Sequence, residues 1–359
     1  MDFAINSFDE RLKIKNCFDG NLVYGAKKFH ADTNRSGEGK PSSGGLIKEH
    51  AKVVIDTENE RYQRKNGLWE DVDHCPVCGS DNRAFFLHRM GLEIYRCQDC
   101  THRYLSPRIK FDEAVKIYSD DSTASDIYKS PIQKEIDNIK YTYGLKIIEK
   151  LNPPSKNKIM DLGCGTGLFL KIAQENGWQE CIGIDANSNY SDGYIADGKP
   201  GLKYINTTFE SLDINKVGQD YDCISLWNVL EHLYDLAGIV NSMREILKKD
   251  GLVFIMVPNV ESLITKLSRE MSPTFNWKHV SHFSPASLKK LFELNGFKEV
   301  FFETVITEID NIKSYMSGEY PYHGHGDPKG LFDFITPEYI HKNNLGSRMI
   351  GIYKKVSHV

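Results

Sequence analysis

Two sets of residues in this 359-residue chain have the types and spacings that chemistry needs. The first is Met160-Asp161-Leu162-Gly163-Cys164-Gly165-Thr166-Gly167-Leu168. It follows Lys156, Lys158 and the apolar Ile159, and it runs into Phe169-Leu170-Lys171-Ile172-Ala173. That order reads as a buried strand, a glycine turn and the start of a helix. Glycine serves where a backbone must turn sharply and let a ligand reach its amides, and open α/β sheets take nucleotides beyond the carboxyl ends of their strands. About 20 residues on, the spacing expected of such a site, Cys181-Ile182-Gly183-Ile184-Asp185-Ala186 is an apolar run ending in an acid. Asp185 is therefore a candidate acceptor for both hydroxyls of a ribose; the plainer alternative is a turn or helix-cap residue. The turn does not follow the dinucleotide pattern Gly-x-Gly-x-x-Gly, and no Lys-Ser/Thr is present for a P-loop.

The second set is Cys75-Pro76-Val77-Cys78 and Cys97-Gln98-Asp99-Cys100, two Cys-x-x-Cys pairs with 18 residues between them. Four thiolates at this spacing can close a tetrahedral zinc site between two turns, and a closed four-cysteine shell has no exchangeable position, so the zinc is expected to be structural. Gly79 permits the tight backbone after the first pair, Leu92-Glu93-Ile94-Tyr95 reads as a strand entering the second, and Arg103-Tyr104-Leu105 as one leaving it. The unit is a small four-cysteine zinc ribbon. His74, His88 and His102 nearby read as surface or core residues, and Cys164, Cys181 and Cys223 as small buried residues of strands and turns.

The elements that must hold these groups are legible in the periodicity. Strand and helix signals alternate from residue 158 to about 303, as a doubly wound parallel sheet requires. Strands are expected at 158–162, 180–185, 202–206, 221–226, 251–257 and 297–303, with Ser347–Tyr353 as a seventh. A helix over 131–151 is predicted by Pro131 in its first turn, by Ile132, Ile136, Ile139, Tyr143, Ile147 and Leu151 at helical spacing, and by the stop at Pro153-Pro154. Three units follow: residues 1–70, partly flexible; the ribbon at 71–108; and an α/β domain over 109–359 with an insertion near 306–345. The insertion carries Tyr320-Pro321-Tyr322-His323-Gly324-His325-Gly326-Asp327-Pro328, a loop-like stretch expected to close over substrate. In the first unit Ser36–Gly45 has the composition of a loop or linker, Asn21–Tyr24 reads as a short strand and Thr57–Arg61 as a helix start.

The pattern Asp-Leu-Gly-Cys-Gly-Thr-Gly at 161–167 resembles the first motif of class I S-adenosylmethionine-dependent methyltransferases, and Gly-Ile-Asp at 183–185 resembles their second-strand motif. The likeness continues through Tyr221–Leu233, Met243–Pro258 and His282–Phe297, covering residues of about 135–305. It implies the family's Rossmann-like sheet of seven strands with the last antiparallel, and S-adenosylmethionine as cofactor. By that resemblance the turn residues Gly163, Cys164, Gly165 and Gly167 surround the methionine part and Asp161 anchors its ammonium. Asp185 and Ala186 hold the ribose, Thr208, Phe209 and Glu210 border the adenine, and Asn228 faces the methionine end. Many relatives carry an acid where Thr208 stands, so Glu210 is the alternative acceptor for the adenine amino group.

A general base, where one is needed, would be His232, His279 or His282, of which at most one is expected to act; an imidazole with its ordinary pKa near 6.5 suits proton removal at neutral pH. His232 reads equally as a structural histidine. Zinc-ribbon methyltransferases resemble enzymes acting on nucleotide sugars, surface glycans or secondary metabolites, so O-methylation of a small-molecule or glycan acceptor is the leading expectation. RNA methylation is the alternative, with Arg83, His88, Arg89, Arg96, Arg103 and Arg108 as a basic surplus and Tyr95 and Tyr104 for stacking. A third is a non-catalytic cofactor-binding scaffold. The formal charge of −4 gives no overall pull toward nucleic acid. No stretch approaches the length of a membrane helix, and Met1-Asp2-Phe3-Ala4 lacks the features of a signal peptide, so a cytoplasmic protein without membrane insertion is expected.

Overall fold

The computed structural model describes residues 55–56, 61–62, 67–89, 91–119, 131–190, 200–212, 217–316 and 333–356. Ser36–Gly45, Asn21–Tyr24 and Tyr320–Pro328 lie outside them. Strands β1 (Ile55–Asp56) and β2 (Arg61–Tyr62) pair antiparallel, so Arg61 belongs to a strand and not to the expected helix start; residues 57–60 between them lie outside the described residues.

The ribbon comprises β3 (Trp69–Glu70), β4 (Arg83–Arg89), β5 (Leu92–Cys97), β6 (Arg103–Leu105) and β7 (Arg108–Ile109). Helices α1 (Phe111–Ser119) and α2 (Pro131–Lys150) follow. Then come β8 (Lys158–Leu162), α3 (Leu168–Glu175), β9 (Glu180–Asp185), β10 (Leu202–Asn206) and β11 (Tyr221–Trp227). The second half holds α4 (Leu236–Ile246), β12 (Leu247–Pro258), α5 (Leu263–Ser268), β13 (Ser281–His282), α6 (Pro285–Leu294) and β14 (Phe297–Val305). It closes with α7 (Ile309–Met316), α8 (Pro337–Lys342) and β15 (Arg348–Lys355).

Seven strands form one sheet in the order β10-β9-β8-β11-β12-β15-β14. The first five are mutually parallel, and β15 runs antiparallel to both β12 and β14. A parallel sheet covered on both faces needs apolar residues on both, and every residue of β11 is buried. Alternate residues supply the two layers. Met160, Ile224 and Leu226 pack with Val240 and Met243 of α4 and Leu291 of α6, whereas Ile159, Cys181 and Cys223 pack with Ile148 of α2 and Phe169 of α3. This is the doubly wound seven-stranded arrangement, with β8 and β11 side by side at its centre.

The helix ends are set locally. Asp235 accepts from the Gly238 amide at the start of α4, and Ser284 and Ser287 form a reciprocal capping box before α6, with Pro285 in its first turn. Between β14 and β15, Ile312, Ile335 and Ile340 form a small cluster with Leu263 and Ile264 of α5.

The ribbon is joined to this domain through its sheet. Strand β13, from the segment before α6, pairs antiparallel with β6, giving a four-stranded sheet in the order β13-β6-β5-β4. Cys75, Cys97, Cys100 and Tyr104 share one apolar cluster with Phe283 and the β8–β11 face of the large sheet.

Candidate functional site

The residues of the glycine turn come out of β8 at the carboxyl end of the sheet. Gly163, Gly165 and Gly167 all have positive φ, of 70°, 51° and 78°. A Cβ on Gly163 would sit 2.3 Å from a methyl of Val229, whereas one on Gly165 would meet nothing within 4 Å. Gly163 is thus required by packing and conformation together, and Gly165 by conformation beside open space. The amide of Gly165 donates to Asp185 Oδ2 at 2.8 Å, and that of Asn187 donates to Oδ1 at 2.9 Å. Asp185 therefore ties the glycine turn to the turn after β9, which is the plainer of its two expected roles. Each carboxylate oxygen keeps a further lone pair for a ligand hydroxyl. Burial raises its pKa above the ordinary range, and the two amide donors partly offset this.

These turns open onto a cavity of about 340 Å³. Gly163, Cys164, Gly165, Asp185 and Ala186 line one end, and Thr208, Phe209, Glu210 and Asn228 border it further along. Phe209 also packs against the core beneath, and Glu210 accepts from the Tyr234 amide at 3.3 Å, so both serve structure as well as the wall. Asn228, whose own φ is +55°, has a buried side-chain oxygen with no hydrogen-bond partner.

Two of the residues expected at the cofactor do not line the cavity. Gly167 lies behind it as the N-cap of α3. Asp161 is 2% exposed, and its carboxylate accepts from the Ser225 hydroxyl at 2.6 Å. Burial pushes its pKa up to about 8, against the lowering effect of Ser225. An acid protonated in the folded chain and ionised in the unfolded one binds more protons when folded. Its contribution to stability is therefore complete below the ordinary carboxylate range and is lost as pH rises toward 8. The melting temperature of the wild-type protein should accordingly fall between about pH 5 and 8, by about 5 °C more than that of Asp161→Asn. Parallel melting curves for the two proteins would exclude that role.

The remainder of the cavity was not legible from motifs. It is lined by Phe111, Val115 and Tyr118 of α1, by Lys140 and Tyr141 of α2, and by Tyr234 and Lys278. The aromatic spacing of Phe111 and Tyr118, two helical turns apart, is the available signal; nothing in sequence says that α1 folds back over the sheet. Lys140 pairs with Asp137 one turn earlier.

Of the three histidines, His232 lines the cavity, in a single 3₁₀ turn (Leu230–His232) after β11. Its Nδ1 donates to the Lys278 carbonyl at 2.8 Å, and the Tyr118 hydroxyl donates to the same carbonyl at 3.2 Å. His279 stacks edge-on to it, ring centroids 4.9 Å apart. His282 lies within β13, 2% exposed, outside the cavity lining and with neither ring nitrogen partnered. Burial lowers the pKa of all three, to about 4 for His232 and about 3 for His282. The near-neutral pKa on which a base was expected is therefore absent: the imidazoles are neutral at pH 7 but weakly basic.

In the ribbon, the four thiols converge with all sulfurs within 4.8 Å of one another, Cys75 to Cys100 at 3.4 Å and Cys78 to Cys97 at 3.6 Å. Tetrahedral bonds of about 2.3 Å to zinc place sulfurs about 3.8 Å apart, so the set fits that ion and is too open for disulfides. The two knuckles are alike: Gly79 N donates to Cys75 O and Thr101 N to Cys97 O, and both residues have positive φ.

The expected basic stacking face does not form. Tyr104 is fully buried. Arg103 pairs with Glu261, Arg108 with Glu70, and Arg83 with Asp73. The Arg89 guanidinium donates to the Phe275 carbonyl.

Residues 137–301 match the family model described as a methyltransferase domain, so that stretch of the chain carries a methyltransferase domain. Among curated relatives it is similar to the ubiquinone biosynthesis O-methyltransferase of Bartonella tribocorum, at 31% identity over 112 residues, 30% of this chain and 44% of that one. It is also similar to the enzyme of that name from Rickettsia prowazekii, at 32% over 135 residues, 36% and 51% of the two chains. The chain thus spans about half the length of these relatives. A solved methyltransferase from Archaeoglobus fulgidus aligns at 19% identity with a TM-score of 0.42, over 61% of this chain and 94% of that one. Among the described residues no helix is long and apolar enough to cross a membrane.

Proposed function

We propose that this protein methylates an oxygen of a small organic acceptor. The observation that carries the reading is one cavity lined both by the glycine turn and Asp185 and by Tyr118, Tyr234 and Lys278. The O-methyltransferase names of the curated relatives support oxygen as the acceptor atom. The aromatic walls suit a flat, hydroxyl-bearing molecule.

When bound, S-adenosylmethionine supplies a methyl group on a sulfonium, reactive without help from the protein. The chain's part is position. Asp185 would receive the ribose hydroxyls, Gly163 and Gly165 leave backbone exposed for the methionine portion, and Thr208, Phe209 and Glu210 border the adenine. Helix α1, with Tyr118 and the Lys278 segment, would hold the acceptor and exclude water, which sets the line of approach. The four-cysteine set of residues 71–108 would hold a structural zinc. Residues 109–359 would form the catalytic unit, with its insertion at 306–345.

Incubation with methyl-labelled S-adenosylmethionine and a panel of phenols, catechols, nucleotide sugars and RNA tests the reading. Label transferred to hydroxylated aromatic molecules is expected. Label entering RNA, or entering none of the panel with cofactor demonstrably bound, would overturn it.

A further inference from the structure

We infer that Glu231, His232 and His279 form a binding site for a divalent cation of the zinc class beside the cavity wall at His232. One ligand atom from each residue lies within 4.8 Å of the others. Glu231 and His232 sit on the 3₁₀ turn after β11, whereas His279 arrives from the segment just before β13, so the three come from two separate stretches of chain.

The hydrogen bonds fix which nitrogens are left for a ligand. A carbonyl only accepts, so His232 carries its proton on Nδ1, given to Lys278 O at 2.8 Å; His279 likewise gives Nδ1–H to Thr274 O at 2.9 Å. Both Nε2 atoms are thereby left as bare lone pairs, the arrangement found behind histidines that ligate metals. The Nε2 of His232 lies 4.0 Å from Glu231 Oε1. That carboxylate is 2% exposed, and its other oxygen, Oε2, is buried with no hydrogen-bond partner. A buried acid with an unsatisfied oxygen beside two unprotonated imidazole nitrogens is costly alone and satisfied by a cation. Asn228, three residues earlier and lining the same cavity, adds a second buried oxygen without a partner.

Two imidazoles and one carboxylate match catalytic zinc sites, which keep an open position. His232 borders the cavity, so an ion held there would stand at the cavity wall, within reach of an acceptor. The role of the ion rests on the O-methylation reading. An acceptor hydroxyl bound there loses its proton to solvent water at lower pH than it would free. Its oxygen then forms the new C–O bond while the C–S bond of the sulfonium breaks and sulfur keeps the pair.

The test is titration of Co²⁺ into the full chain with its ribbon already loaded with zinc. One cobalt per chain is expected beyond the ribbon, with weak visible bands and without the intense absorption of a thiolate–cobalt bond. Affinity should fall at least about 10-fold in His279→Ala and in Glu231→Gln. Unchanged binding of S-adenosylhomocysteine shows that a variant is folded; if His279→Ala fails that check, His279→Gln replaces it. No uptake beyond the ribbon, or uptake indifferent to both positions, overturns the site. The readout needs no methyl transfer, so failure of the O-methylation reading leaves the metal result intact, and the reverse.

Discussion

Asp185→Ala should weaken binding of S-adenosylmethionine at least about 100-fold, with the protein still folded. Two effects add. The variant removes the acceptor proposed for two ribose hydroxyls, and hydrogen bonds to a charged group contribute about 1.5–3 kcal/mol each. It also strips the Gly165 and Asn187 amides of their partners at 2.8 and 2.9 Å, so the glycine turn loses its tie to the turn after β9. Two such bonds to ligand alone come to about 3–6 kcal/mol, or a factor of about 10²–10⁴ in affinity. Calorimetry with S-adenosylhomocysteine measures this. A cofactor analogue lacking a ribose hydroxyl separates the two effects: it should bind the wild type more weakly than the natural cofactor, and Asp185→Ala should fail to distinguish the two. An affinity within a few-fold of wild type would leave Asp185 a turn-capping residue alone and remove the cofactor site as drawn.

Cys100→Ser should strip thiolate-bound zinc from the chain and lower the melting temperature of the whole protein by about 10 °C or more, not merely loosen the ribbon. Zinc binding at four-cysteine sites is folding free energy, on the order of 10 kcal/mol in small zinc modules. Here that energy reaches beyond the module. The knuckle cysteines share an apolar cluster with Phe283 and the large sheet, and β6 pairs with β13. The segment leading into β13 carries Lys278 and His279, so loss of the ribbon should also lower turnover more than cofactor affinity. Zinc released by a thiol-specific mercurial, together with calorimetric melting, reads the outcome. A main transition unchanged from wild type would mean that the shared sheet transmits no stability.

The glycine-turn side of the cavity was readable because its geometry is local. A glycine turn directly after one strand and an acid at the end of the next are adjacent once β8 and β9 pair, and register brings Leu162 beside Ile184. The four-cysteine set was readable for a similar reason: each pair of ligands is held by its own turn, and only the closure of two turns is non-local. The remainder of the cavity was opaque. Phe111, Tyr118 and Lys278 belong to stretches that meet only when the ribbon docks on the sheet. Expectations drawn from residue type alone also failed there. Tyr104 and Arg103, read as available for a nucleic acid, are buried, because a strand of the catalytic domain covers them.

The pattern of apolar runs, glycines and cysteines pointed by itself to the seven strands of the doubly wound sheet, to the glycine turn that lines the cavity and to the four cysteines that converge. It could do so because hydrophobic periodicity and positive-φ turns act over a few residues. Only the tertiary structure decided the protonation of the site. His232, His279 and Asp161 have ordinary side chains whose pKa values move through burial, and burial depends on what the rest of the chain lays over them. The same packing turned three candidate bases into one strand residue and two neutral imidazoles facing a buried carboxylate.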